Sequence, residues 1–443
     1  MTQHSLLITL ALITCTGTAP AQTTPPAPTT GTTLTIAQLF EQVEAGSRSI
    51  RAAKTSTDMA QQDIAHARSQ RLPDINVDLS VSYLGNALLS NRHFGDIHGL
   101  HSPHLGNSFA LEAQQVIYSG GTLTAGVNLA QLGQRQAETN VRQVRQQARF
   151  EALGQYLDLY KTDNRIRVYE QNIALTRRLL DEIKLRQQQG MALKNDITRY
   201  EMQMEQLQLG LTQLRNTRAI LNHQLCNTLS LPGTTQLYPD TTVAAEVCPK
   251  QGEAYWQQVA TTTAPVMEQQ QIRVSMAQQN EKLARAARLP KVAVVAANQF
   301  NGPITFELPP INKNLNIWYV GVGVRYSLSA LFKTNHHITQ TQLATLRAQQ
   351  DMAVAAEQLN NRTNQAYTLY LQTYTELATQ RKSVELARQN YEVINARYLG
   401  QMVLVTDMID AANLRLNAEL QEVDARIGIV YAYYHMRFIA GNI

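Results

Sequence analysis

The sequence is short of charge, of aromatic side chains and of cysteine. Asp, Glu, Lys and Arg make up 16% of the 443 residues, Phe, Trp and Tyr 6%, and there are three cysteines. Few aromatics argue against a thick globular core, while the abundant Gln, Ala, Leu, Thr and Asn suit long helices. The formal net charge of +5 comes from Lys and Arg scattered among acids, so no basic patch points to nucleic acid. Beyond the N-terminal segment no run approaches the ~20 apolar residues of a membrane-spanning helix. GxSxG, HExxH, a phosphate loop and CxxC are all missing, and nothing places a base beside a nucleophile. An enzyme is not expected, nor a cofactor. The loop from Gly85 to Asn107 carries His93, Asp96, His98, His101 and His104, but their spacing matches no zinc template and no metal site is expected.

The N-terminus carries an apolar stretch, Leu6 to Ile13, and the small-residue site Ala19-Pro20-Ala21, which together read as a secretory signal over residues 1–21. Cys15 follows Leu12-Ile13-Thr14, a poor version of a lipoprotein cleavage box. Residues 22–33 form a Pro/Thr-rich tether. An exported chain without a spanning helix is periplasmic, secreted, or inserted as β-structure. In that compartment Cys226 and Cys248, which flank a turn-rich stretch, either pair or remain thiols.

An internal repeat dominates what is present. Arg71-Leu72-Pro73 recurs as Arg288-Leu289-Pro290, an offset of 217, while Gln155-Tyr156 answers to Ala366-Tyr367 and the segment 186–196 to 397–407, offsets of 211. The second copy is shorter by about six residues within its strand-connecting loop, where a duplication tolerates loss. The copies span 34–232 and 252–443, joined by a linker over 233–251. Each reads as helix, strand, strand, long helix, sharp turn, helix. Residues 35–71 form the first helix, ended by Pro73.

The strands fall at about 75–84, 108–118, 292–300 and 316–328. Ile75, Val77, Leu79, Val81 and Tyr83 alternate with Asn76, Asp78, Ser80 and Ser82, and Trp318, Val320, Val322, Val324, Tyr326 and Leu328 alternate likewise. Alternating runs of ~9–11 residues match tilted strands crossing a bilayer. A soluble sheet packed on the helices through its apolar face gives the same pattern. The segment from Thr122 to Gln189 holds no proline and at ~1.5 Å per residue extends ~100 Å. Apolar positions stepping by three and four, such as Tyr200, Met204, Leu207 and Leu211, or Tyr367, Tyr370, Tyr374 and Leu377, mark seams of antiparallel coiled-coil hairpins. Four strands cannot close a barrel, and an open edge in lipid strands backbone polar groups at several kcal/mol each. If these strands cross a membrane, several chains share one barrel.

The repeated RLP turn, QVIYSGG at 115–121, the QYLDL run at 155–159 and RYLGQMVLVTDMIDA at 397–411 resemble the outer-membrane efflux proteins, the TolC-like outer membrane factors, in that family's duplicated order. The resemblance implies a mainly helical chain with membrane β-structure: a homotrimer whose twelve strands, four per chain, form one barrel in the bacterial outer membrane above a long periplasmic α-barrel. It also implies a periplasmic adaptor and an inner-membrane transporter as partners, with the channel a passive exit duct for efflux or type I secretion. Asp407 and Asp410 match carboxylates that narrow the periplasmic entrance, and Tyr398 a tyrosine that helps to close it. Alternatively, Thr406 and Asp407 merely start a helix, as Asn195 and Asp196 do in the first copy. The turns 188–195 and 399–406, with Gly190, Met191, Gly400, Gln401 and Met402 at their tips, correspond to adaptor contacts. The chain departs from the family pattern where Val116 and Ser327 replace a proline after each second strand, Gln401 a glycine, and Val403 an arginine. Without that arginine, either closure uses charge pairing with Arg397 or Arg199 as the substitute, or the entrance is held differently. A periplasmic coiled-coil adaptor or scaffold without a barrel is the competing reading, although an adaptor usually carries one hairpin rather than two.

Overall fold

The computed structural model describes residues 31–240, 242, 249 and 251–443; the expected signal sequence, Cys15 and Cys248 lie outside them. Strand β1 (Gly31–Leu34) pairs in parallel with β6 (Gln236–Pro239), so residues 31–33, read from the sequence as the end of a tether, are ordered in a sheet. Buried Leu34 and Leu237 anchor that pair, and the Tyr156 hydroxyl donates to Leu34 O at 2.7 Å.

The stretch expected as one helix is two, α1 (Ile36–Gly46) and α2 (Arg48–Ser69). Ser47 leaves helical geometry at ψ 124° and its hydroxyl accepts from Ile50 N, capping the second helix. At Gly46 the backbone approaches Leu229 so closely that a Cβ would lie 2.4 Å from the Leu229 carbonyl oxygen. The second half divides in the same way, into α5 (Glu253–Thr263) and α6 (Pro265–Ala286), with Pro265 at the first position of the new helix.

Strands β2 (Asp74–Tyr83), β5 (Leu105–Tyr118), β7 (Lys291–Gly302) and β8 (Leu315–Arg325) form one antiparallel sheet in the order β2-β5-β7-β8. Strand β8 ends before Leu328, because the chain turns at Ser327, whose carbonyl accepts from Ala330 N. A small hairpin, β3 (Ala87–Leu89) with β4 (His98–Leu100), caps the first loop. Helix α3 (Thr122–Gln188) has 67 residues and returns as α4 (Lys194–Thr228). After the short α7 (Ala330–Lys333), α8 (Asn335–Leu399) has 65 residues and returns as α9 (Val405–Ile439).

Register settles which residues share a sheet face. Val77 stands opposite Leu111, Leu79 opposite Phe109, Phe109 opposite Phe300, and Val294 opposite Val322. One face is therefore apolar while the other carries Asp74, Asn76, Asp78, Glu112 and Gln299. The helices do not cover the apolar face: Leu79 is 74% exposed and Trp318 71%. The coiled-coil seams are instead satisfied within the chain, with Tyr200, Met204, Leu207, Tyr370, Val384, Ile427 and Val430 buried.

Three layers stack along the long axis, each a strip of four elements. Below the sheet, α2 packs on α3, α3 on α6 and α6 on α8; lower still, α4 packs on α3, α3 on α9 and α9 on α8. Between the helical layers lie two cores. Leu39, Val43, Leu153, Tyr156, Leu225, Val430 and Tyr434 form one, and Trp256, Leu359, Tyr370 and Met436 the other.

Candidate functional site

The two long hairpins end side by side. At the first tip α3 closes on Gly190, whose φ is +77°, with Met191 N donating to Arg186 O at 2.9 Å. At the second, Gln401 takes the left-handed conformation at φ +58°, Met402 N donates to Arg397 O at 2.9 Å, and Gly400 stays at φ −86°. The same turn is thus built twice, once on glycine and once on glutamine. Gln401 gains a contact from its position: its side-chain amide donates to Met191 O of the neighbouring tip at 3.4 Å.

Each return helix starts with a leucine as N-cap and an aspartate three residues on. The Asp196 carboxylate accepts from Leu193 N at 3.2 Å and that of Asp407 from Leu404 N at 3.0 Å, half of a capping box. Asp407 therefore has a structural role, at the N-terminal end of a 35-residue helix where the dipole favours a carboxylate. Asp410 lies one turn on. Both aspartates are exposed on one face of α9, and neither enters an ion pair among the described residues.

Tyr398 lines a cleft of about 330 Å³ between the tips, with Arg186, Asp196, Gln401, Val403 and Leu404. Burial raises its hydroxyl pKa, the Asp196 carboxylate adds to that, and the Arg186 guanidinium pulls the other way. Tyr200, beneath the cleft among Leu180, Ile183 and Met408, is buried with its hydroxyl unpartnered, and its pKa is pushed far up, first by burial. These tyrosines are neutral in any physiological buffer. Within the chain an arginine bridges the two tips. Arg186 of α3 donates to Leu399 O at 2.9 Å while pairing with Glu182 at 3.2 Å. Nothing in the sequence marks it, because an arginine in the last turn of a helix is an ordinary dipole partner. Around this polar floor Met191, Leu193, Met402 and Leu404 are exposed, with Met402 at 70%.

Above the tips the hairpins are tied by charge. Arg415 of α9 is 9% exposed; it donates to Asn172 of α3 at 3.1 Å, lies 3.8 Å from Glu419, and sits 4.2 Å over the Tyr391 ring of α8. Glu419 also accepts from Asn172 at 3.2 Å and from Arg388 of α8 at 3.0 Å. Two turns further, Arg165 and Lys161 of α3 both meet Asp424 of α9.

Among the described residues no three His, Cys, Asp or Glu converge as metal ligands; His98 pairs with Asp96 at 2.9 Å, and the His101 and His104 rings lie 5.4 Å apart. The Cys226 thiol is buried, which raises its pKa, and it donates to Thr235 O at 3.4 Å.

Residues 39–229 match the family model described as outer membrane efflux protein. Solved structures agree in fold over the rest. The outer membrane protein VceC of Vibrio cholerae superposes with a TM-score of 0.73 at 14% identity, covering 92% of this chain and 96% of that one. CusC gives 0.78 at 12%, covering 92% of each chain, and the CmeC outer membrane channel of Campylobacter jejuni 0.71 at 12%, covering 92% and 85%. The resemblance to the outer membrane efflux proteins holds. No curated protein matches the sequence. The TolC-like fold is a mainly helical one built on coiled-coil hairpins.

Proposed function

We propose that the chain is one third of an outer-membrane channel, the passive exit duct of a tripartite efflux pump or a type I secretion system. The observation that carries this is the sheet. Its apolar face is bare although the helices below have their seams filled, and its outer strands β2 and β8 present unpaired edges. Lipid accepts the first feature, and only closure with further copies removes the second. All three layers leave the same two flanks open, β2, α2 and α4 on one side and β8 and α8 on the other. One head-to-tail contact repeated around an axis then closes all the layers together. Three copies give twelve strands in the outer membrane, with the helices reaching into the periplasm.

A duplicated origin is supported by the matched elements. Helices α1 and α5 have 11 residues each, α2 and α6 22 each, and α4 and α9 35 each. In the assembled ring Asp407 and Asp410 of each copy face the axis at the entrance and favour cations. Around the tips, Met191, Met402 and their exposed leucine neighbours, with Gly190, Gly400 and Gln401 shaping the turns, give an adaptable apolar surface for a periplasmic adaptor, which couples the duct to an inner-membrane transporter. Cys226 and Cys248 are proposed to bridge under oxidation.

Fractionation of expressing cells tests the assignment. The expected result is recovery in the outer membrane as an oligomer that forms channels in planar bilayers. Recovery as a soluble periplasmic monomer overturns it in favour of a coiled-coil adaptor or scaffold.

A further inference from the structure

The polar face of the sheet carries charges that find no ion-pair partner among the described residues. Lys291 and Arg325 are direct cross-strand neighbours at the helix-side end of β7 and β8, both on that face. Like charges in such a pair repel unless an acid lies between them. Among the described residues neither makes an ion pair, and the same holds for Asp74, Asp78 and Glu112 on β2 and β5. Arg325 thus lies at one open flank with Lys291 one strand in from it, and Asp74 and Asp78 lie at the other. Since β7 is already paired with β5, the missing acid reaches Arg325 from beyond the β8 edge.

Register says which acid. Following the ladder across the sheet, Asp74 stands level with Gln114, Val295 and Gly321, and β8 runs four residues further, to Arg325. Tilted strands in a closed barrel require a stagger of this kind. Asp74 follows Pro73 at the end of α2, and Arg325 leads through a tight turn into α8, so both strand ends lie at the depth where the sheet meets the helices. The antiparallel partner for β8 is a strand that begins there, on the same face, with an acid.

We propose that strand β8 of one copy pairs with β2 of a second copy in the register that sets Asp74 beside Arg325 on the inner face, an inter-chain ion pair that also relieves the repulsion between Lys291 and Arg325. The proposal rests on the reading of the chain as one part of a shared barrel. Repeated around the ring it makes one such pair per seam.

The test uses the full chain with its three cysteines replaced by alanine, expressed in the outer membrane. Asp74→Cys with Arg325→Cys should give disulfide-linked dimers and a closed trimer on oxidation, and either cysteine alone should not. Asp74→Arg should lower the yield of oligomer resisting detergent at least fivefold, Arg325→Asp likewise, and the two together should restore it. The register is overturned if an oligomer forms but the paired cysteines do not cross-link and the double reversal is no better than the singles. It is equally overturned if Arg325→Asp changes ion selectivity and leaves assembly intact, for then Arg325 serves permeating anions. A parent chain that never leaves the soluble monomeric state refutes the shared barrel itself, before any variant is read.

Discussion

Replacing Arg415 by Met tests whether charge, rather than apolar packing alone, holds the two hairpins together above the entrance. Arg415 and Glu419 have side chains 11% and 12% exposed, and the arginine joins Asn172 of α3, Glu419 of its own helix and the Tyr391 ring of α8. Without it, Glu419 keeps Asn172 and Arg388, and the latter is 60% exposed and contributes at most about 1 kcal/mol. Stranding a buried charge costs about 3–5 kcal/mol. Because Glu419 keeps part of its shell, the expected loss is about 2–4 kcal/mol. The assay is equilibrium unfolding in denaturant, followed by far-ultraviolet circular dichroism of the detergent-solubilised protein. Arg415→Met with Glu419→Leu should return to within about 1 kcal/mol of the parent, because an apolar pair of similar volume replaces a buried ion pair at little cost. A loss below about 0.5 kcal/mol for the single variant would show that the network is ornamental and that the seams alone bind the hairpins.

Three further outcomes are expected. Asp407→Ala with Asp410→Ala should raise single-channel conductance and weaken cation preference, and unchanged selectivity would remove the carboxylates from the entrance. Leu79→Arg, in the middle of β2 on the bare apolar face, should cost about 2–4 kcal/mol in a bilayer and sharply lower recovery in the membrane; if this face packs on protein instead, recovery in membranes is indifferent to the charge. Gly190→Val forces a β-branched side chain into a left-handed turn at a cost of about 1–2 kcal/mol, read as faster proteolytic nicking between α3 and α4, whereas nicking at the parent rate would mean that the turn rearranges freely.

The alternation from Ile75 to Tyr83 located a strand to within a residue, because period-2 patterning is strong wherever one face is apolar and the other polar. What patterning cannot say is what the apolar face meets; in the fold the chain's own helices leave it uncovered. The break at Ser47 is not legible in the sequence because nothing in Gly46-Ser47 forbids a helix; the close approach of Leu229 imposes it from a distance in sequence. Strand β8 ends earlier than the pattern predicts because Tyr326 and Leu328 keep the alternation going after the backbone has turned. At the tips the aspartates were legible as helix starters, but the Arg186 bridge was not, since its acceptor is a backbone carbonyl 213 residues away and a carbonyl leaves no trace in sequence.

These observations give the charges of the chain a common logic along its length. In the helical middle the acids of α9 are matched from within the protomer, Glu419 by Arg388 and Arg415, Glu422 by Arg381 and Arg426, Asp424 by Lys161 and Arg165. A helix locked to both neighbours in this way cannot slide without breaking several contacts at once, which gives the lower hairpins a defined resting position. At the two ends the matching stops, on the sheet face at Asp74, Asp78, Lys291 and Arg325 and at the tips at Asp407 and Asp410. An unmatched charge facing water is inexpensive, but a like-charged cross-strand pair is not. At the sheet end the proposed pairing has a second copy supply the missing charge. The tip end needs none: the Asp407 carboxylate already accepts from a backbone donor, and it is exposed to water.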